Sequence, residues 1–305
     1  MSKIVSNRSE IVFLYDVKDN NPNGDPLDEN KPRIDEETMV NLVTDVRLKR
    51  TVRDYLNDYR EVPVFIKESR KEDGTLKTKE NRLDEEKIDS AEKLLEQYVD
   101  MRLFGATTAI KDKTITFTGP VQFKIGRSLH KVKLAFMKGT TVMPSKEGAK
   151  QGTFTEQYIL PYSLIGFYGI VNENAAKTTG LTEADVELLL DGLWNGTKNL
   201  ISRSKVGQMP RLLLKVDYKE SNYHIGGLSG LIRLKTSVPE QEIRDLSQYR
   251  LDITELVSTL KANASKIMGI SVAVDKSLVF ETSGSVVDLK AALGTVGVPI
   301  KDILF

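Results

Sequence analysis

The chain has no cysteine, two histidines and one tryptophan among its 305 residues. Without thiols there are no disulfides, no thiolate zinc sites and no cysteine nucleophile. The two histidines, His130 and His224, lie far apart in sequence, which leaves no multi-histidine metal centre within one chain. Long apolar runs are also missing. The longest nearly apolar stretch, residues 159–171, is too short to span a bilayer and contains Pro161, so it reads as a buried strand. Residues 1–10 lack the apolar run of a secretory signal. Neither a Walker A pattern nor a GxGxxG fingerprint occurs, and residues 226–230 (GGLSG) are too irregular for a nucleotide loop. The expectation is a cytoplasmic protein with no membrane partner, no metal, no cofactor and no catalytic residue.

What is present is a composition suited to a packed core, with 40% hydrophobic and 29% charged residues. A net charge of +1 argues against a nucleic-acid partner, but the distribution argues for one. Residues 113–146 hold seven Lys/Arg and no acid, and residues 192–216 hold five and no acid. Such segments can build a positive face on a neutral molecule, and phosphate neutralisation supplies most non-specific nucleic-acid affinity. Chance clustering on a solvated surface is the competing explanation.

Along the chain, residues 10–17 (EIVFLYDV) form a nearly continuous apolar strand, best explained by a buried sheet position. Residues 19–32 hold three prolines, one glycine and four asparagines, the composition of a structured loop. Residues 41–59 predict a helix with Leu42, Val46, Val52, Leu56 and Tyr59 on its apolar stripe. Residues 67–93 are dominated by charge and predict a mobile, finger-like insertion. Residues 131–155 contain glycines and Pro144 and predict a protruding, thumb-like hairpin. Residues 182–200 predict a helix, with Thr182 as N-cap and Asp185 three residues on. Further strands are expected at 114–125, 157–171, 212–216, 271–274 and 278–282, and a short helix at 252–260. The order of elements fits a split βαβ, ferredoxin-like core within one elaborated domain, residues 1–305. Single-stranded RNA is commonly read on such a sheet.

Several constellations carry chemistry. On a helical wheel at about 100° per residue, Lys49, Arg53, Arg50 and Arg47 are expected to share one flank of the helix at 41–59, which suits a phosphate backbone. Pairing with Asp45, Asp54 and Asp58 on a solvated face is the alternative. The segment 201–211 (ISRSKVGQMPR) follows a helix and precedes a strand. It combines three cations, two hydroxyls and a glycine without an acid, as phosphate-holding loops do. Residues 19–24 (DNNPNG) mimic half of an EF-hand loop, but the twelfth position is Asn30 rather than glutamate, so calcium is not expected. Asp25, Asp28 and Asp35 suit either turn stabilisation or nuclease chemistry. Trp194 is expected in the core, and His130 on the surface or at a phosphate. Phe136, Met137, Val142, Met143 and Phe154 lie in the expected thumb, where they suit a wedge between bases, a neighbour contact or packing on their own domain.

These segments together resemble the Cascade backbone family of type I-B and I-C CRISPR systems. The resemblance rests on FLYDVKDNNPNGDP at residues 13–26, followed by NKPRIDEET, VTDVRLKRTVRDYL, DMRLFGA, TGPVQFKIGRSL and SRSKVGQMPRL. These blocks occur in the expected order, and the type I-B branch fits best. The resemblance implies an α+β fold, a modified RNA-recognition-motif (ferredoxin-like βαββαβ) palm with inserted finger (67–93) and thumb (131–155) elements. It implies CRISPR RNA, further copies of the chain and other Cascade subunits as partners, with target DNA reached through the guide. The RNA contacts it implies are Lys49, Arg50, Arg53, Ser202, Arg203, Ser204, Lys205 and Gln208, then Arg127 and Lys133. Met137, Val142 and Met143 would form the thumb wedge. Related backbone subunits cleave RNA with a palm-loop aspartate, so a metal-dependent RNA-cleaving member of the same superfamily is the alternative.

Overall fold

A computed structural model describes residues 3–110, 113–140 and 154–305. Four long strands organise it: β1 (Ser9–Asn20), β2 (Gly126–Lys131), β3 (Phe154–Val171) and β4 (Met209–Tyr218). They lie in the order β4-β1-β3-β2, each antiparallel to its neighbour. Helix α1 (Asp45–Asp58) lies in the connection from β1 to β2, and α2 (Glu183–Lys198) joins β3 to β4. Further strands widen the sheet to ten. Ile267–Val274 adds to β4, Ile300–Asp302 adds in parallel at that edge, and Val40–Val43 adds to β2.

β1 is continuously apolar from Ile11 to Tyr15 because both faces of the sheet are covered there. Ile11, Phe13, Tyr15 and Val17 point into a core shared with α1 and α2, while Val12 and Leu14 point into a second core. The two helices approach closely because α2 presents glycine to α1. A Cβ on Gly192 would sit 2.8 Å from Val52, and one on Gly196 would sit 3.0 Å from Tyr55. The N-terminus of α2 is closed as expected, by a capping box between Thr182 and Asp185.

The second core is built with the C-terminal part of the chain, including Leu228, Tyr249, Leu251, Leu256 and Leu293. A buried carboxylate clasps this layer to the sheet. Glu10 accepts hydrogen bonds from the Tyr168 and Tyr218 hydroxyls and from the Ile225 and Gly226 backbone N–H groups. The sheet face opposite the helices is therefore closed. This layer contains the expected helix, at Thr254–Ala262, and strand Phe280–Thr282, while the expected strand at Ile267–Val274 extends the main sheet beside β4. Helix Leu289–Gly294 and strand Ile300–Asp302 were not anticipated.

Two inserted elements leave the sheet. Between α1 and β2, short helices Lys79–Glu85, Ala91–Gln97 and Val99–Phe104 precede a hairpin of Gly105–Ile110 with Lys113–Thr118. They enclose a third core of Phe65, Leu83, Ile88, Leu94, Tyr98 and Met101. Residues 67–93, read from charge as a loose insertion, thus belong to a larger packed unit. The second element is a ribbon in which Ala135–Thr140 pairs with the first residues of β3, from Ala135↔Ile159 to Thr140↔Phe154. Val142 and Met143 lie outside the described residues.

Candidate nucleic-acid interface

α1 begins at Asp45 rather than at residue 41, because Val40–Val43 is taken into the sheet beside β2. Thr44 is the N-cap and accepts from the Arg47 N–H at 3.2 Å. The buried stripe is Leu48, Thr51, Val52, Tyr55 and Leu56. Val46 and Tyr59, expected on that stripe, are 68% and 55% exposed. This rotation separates the four cations. At about 100° per residue, Lys49 and Arg53 fall on one side of the stripe, and Arg47 and Arg50 on the other.

Lys49 and Arg53 face the finger and are held by internal partners. Lys49 Nζ lies 3.0 Å from Asp45 and 3.3 Å from the Gln122 side-chain oxygen. Arg53 donates to Asp100 at 2.9 Å and stacks over Phe104 at 5.0 Å. Asp100 is fully buried and also accepts from the Phe65 and Ile66 N–H groups at 2.8 and 3.0 Å. Arg53 therefore clamps α1 to the finger, a role the wheel did not anticipate.

Arg47 and Arg50 face the opposite way, toward the loop 202–208. That loop turns through Lys205 N–H and Val206 N–H donating to Ser202 O, and Gly207 permits the turn with φ +83°. The end of β1 anchors it. Asn20 donates its side-chain amide to Val206 O at 2.6 Å, and Asn21 N–H donates to Ser204 O at 3.0 Å. Asn23 in turn accepts from the Thr44 N–H and hydroxyl at 2.9 and 3.0 Å. The asparagine-rich loop thereby joins the phosphate-suited loop to the N-terminus of α1.

Positive charge gathers here. Arg50 reaches Asp54 at 3.4 Å and Glu68 at 4.0 Å and is 59% exposed. Arg47 Nε and Gln208 Nε2 are buried without a partner, as are the Oδ1 atoms of Asn20 and Asn21 beneath the loop. Lys205 Nζ lies 3.1 Å from the Ser204 hydroxyl. Burial, and then the neighbouring Arg47 and Arg50 charges, hold the Lys205 pKa below its usual value. Ser202 and Arg203 are exposed at the loop surface. An anion would relieve both the charge repulsion and the unpaired donors. Arg47 is the residue that the sequence reading placed on the helix but left out of the site.

The remaining candidates lie elsewhere. Arg127, on β2, pairs with Asp35 at 3.3 Å and is 56% exposed. Lys133 is exposed between β2 and the ribbon. Met137, on the ribbon, is 56% exposed. His130, expected near the surface, is 2% exposed. Its Nε2 accepts from Leu164 N–H at 3.2 Å, its Nδ1 lies 2.8 Å from Lys131 O, and its ring stacks on Tyr162. The loop acids are committed to local structure. Asp25 pairs with Arg33 at 2.7 Å and accepts from Leu27 N–H, while Asp35 accepts from the Glu37 and Thr38 N–H groups.

On an α+β frame with inserted elements, the 202–208 loop and the first turns of α1 bring Arg47, Arg50, Lys205 and Gln208 together. Comparison with known proteins gives the family. The sequence profile of "CRISPR-associated protein Cas7" matches residues 7–254. A CRISPR-associated protein Cas7 from Haloferax volcanii is 37% identical over 301 residues, covering 89% of this chain and 88% of that protein. The chain belongs to the Cas7 family. Its fold is similar to a chain of a CRISPR RNA-guided surveillance complex, pre-nicking, with a TM-score of 0.53 at 13% identity, covering 95% of this chain and 99% of that one. A chain of a CRISPR RNA-guided surveillance complex gives 0.52 at 16% identity, covering 95% and 98%.

Proposed function

We infer that this protein is the CRISPR RNA-binding backbone subunit of a type I Cascade surveillance complex, of the I-B branch. Copies line up along one guide RNA and present it for pairing with target DNA in antiviral defence. The carrying observation is the cluster of Arg47, Arg50, Lys205 and Gln208, formed where α1 meets the 202–208 loop, distant in sequence. Family membership and the fold of the surveillance-complex chains support the same reading. The strand order β4-β1-β3-β2 with two crossing helices supports an RNA-recognition-motif-like palm. Because the sheet face is closed, the guide runs over the end of the sheet at the 202–208 loop, with Ser202, Arg203, Ser204 and Lys205 on its phosphates. Lys49 and Arg53 join them only by exchanging Asp45 and Asp100 for phosphate. Arg127, Lys133 and Met137 extend the path toward the ribbon.

The subunit acts as a scaffold and not as an enzyme, in the cytoplasm. Other Cascade subunits complete the assembly. Sequence specificity belongs to base pairing, while the protein grips the backbone. Metal-dependent RNA cleavage is disfavoured because Asp25 and Asp35 are bound to Arg33, Arg127 and turn N–H groups. Sequencing the RNA that co-purifies with the protein tests the reading. CRISPR-derived guides that are lost in Arg50→Ala/Lys205→Ala support it. Absence of RNA, or RNA unaffected by those substitutions, contradicts it.

A further inference from the structure

The cluster beside the 202–208 loop holds an amine as well as two guanidinium groups. Lys205 Nζ donates to the Ser204 hydroxyl and forms no ion pair among the described residues. Lysines elsewhere on the surface do pair with carboxylates, as Lys93 does with Asp89 at 2.7 Å and Lys290 with Asp302 at 2.6 Å. The loop fixes where the Lys205 side chain starts. Its own N–H donates to Ser202 O at 3.1 Å, and the carbonyls on either side, of Ser204 and Val206, accept from the Asn21 N–H and the Asn20 side-chain amide. Lys205 is partly buried, and burial, followed by the Arg47 and Arg50 charges, lowers the pKa of its ammonium group. Both effects favour the neutral amine, the form in which lysine reacts as a nucleophile.

We propose that Lys205 is an acylation site for small acyl phosphates, whose phosphate group is held by Arg47 and Arg50. Guanidinium groups are suited to phosphate oxygens. In an acyl phosphate the reacting carbon is joined to the phosphate through a single bridging oxygen, so holding one end brings the other within reach of Nζ. The neutral amine attacks the acyl carbon and a C–N bond forms. The bond from that carbon to the bridging oxygen breaks, phosphate leaves with the electron pair, and the surplus proton on nitrogen passes to solvent. The same arginines stabilise the charge that develops on the leaving phosphate. A thioester carries no such charge at its reacting end and gains nothing from the cluster. The product is a neutral amide, which removes one cation from the guide path. Only this last consequence rests on the RNA-binding reading above. RNA and acyl phosphate compete for the same cations, so bound RNA shields the amine.

The test incubates the purified protein with acetyl phosphate, with and without single-stranded RNA, and maps the acetylated lysines by mass spectrometry. We expect Lys205 to be modified ahead of Lys93 and Lys290, at a rate that saturates with acetyl phosphate and falls when inorganic phosphate or RNA is added. With acetic anhydride, a donor without phosphate, inorganic phosphate should not slow the reaction. Arg50→Ala should slow acetylation of Lys205 by acetyl phosphate while Lys290 reacts as before. Treatment should lower the salt slope of RNA binding by about 0.7 in wild type, the loss of one phosphate contact, and should cause no such drop in Lys205→Arg. Acetylation of Lys205 no faster than of Lys290 overturns the proposal. So does a rate that is linear in acetyl phosphate and indifferent to inorganic phosphate. If acetylation is selective but neither changes RNA binding nor is shielded by RNA, the acylation site stands and the RNA contact of Lys205 fails. If Lys205 stays unmodified while Lys205→Gln weakens RNA binding, only the acylation site fails.

Discussion

Arg53→Ala separates a clamp from a guide contact. Arg53 and Asp100 are 12% and 0% exposed and lie 2.9 Å apart. Removing the guanidinium leaves a buried carboxylate with two backbone donors, from Phe65 and Ile66. Breaking a buried pair from one side costs about 3–5 kcal/mol. For a chain of 305 residues, unfolding entropy of about 2.1 cal/mol/K per residue converts this to a Tm drop of roughly 5–8 °C. Arg50→Ala removes only exposed pairs at 3.4 and 4.0 Å, and so should cost no more than about 1 kcal/mol. Thermal unfolding of the purified proteins reads both. The double variant Arg53→Met/Asp100→Asn should recover much of the loss, because no unpaired charge remains. An Arg53→Ala protein as stable as wild type but as poor in RNA binding as Arg50→Ala would refute the clamp.

Other outcomes follow from the same contacts. Arg50→Ala and Lys205→Ala should each reduce the salt slope of single-stranded RNA binding by about 0.7 if each residue neutralises one phosphate, and an unchanged slope removes that residue from the interface. Burial holds the His130 pKa below its usual value. The unfolded chain therefore takes up this proton first, and the stability contributed by neutral His130 is present above about pH 6.5 and is lost as pH falls toward the native pKa. Unfolding measured from pH 7.5 to 5.5 should fall less steeply in His130→Gln, and parallel profiles would contradict this. Guide, complementary RNA and Mg²⁺ or Mn²⁺ should leave both strands intact, whereas cleavage abolished by Asp25→Ala or Asp35→Ala would restore the nuclease reading.

Local signals were legible where one physical cause dominated. The unbroken apolar run of β1 announced burial on both faces, and Thr182 with Asp185 announced the start of α2. The phase of α1 was not legible, because Val46 and Tyr59 imitate a stripe that packing assigns to Leu48, Thr51 and Tyr55. With the stripe misplaced, Arg53 looked available when its partner, Asp100, lies on another element. His130 sits among cations in sequence, and only the fold brings Leu164 and Tyr162 around it. The C-terminal layer was hard to read because its strands are short and pair out of sequence order, as Phe280–Thr282 does alongside Tyr249–Asp252. In the 202–208 loop the composition was informative. The arrival of Asn20 and Asn21 beneath it was not, since that contact spans most of the chain.

The central claim is that several copies bind one RNA side by side. Single-strand binding modules cover roughly 4–16 nucleotides each, so a long RNA needs several. Native mass measurements on the purified protein with single-stranded RNAs of increasing length test this directly. The account predicts that copies are added one at a time at a constant length increment, and that Arg50→Ala/Lys205→Ala abolishes the series. One copy bound regardless of RNA length would contradict it.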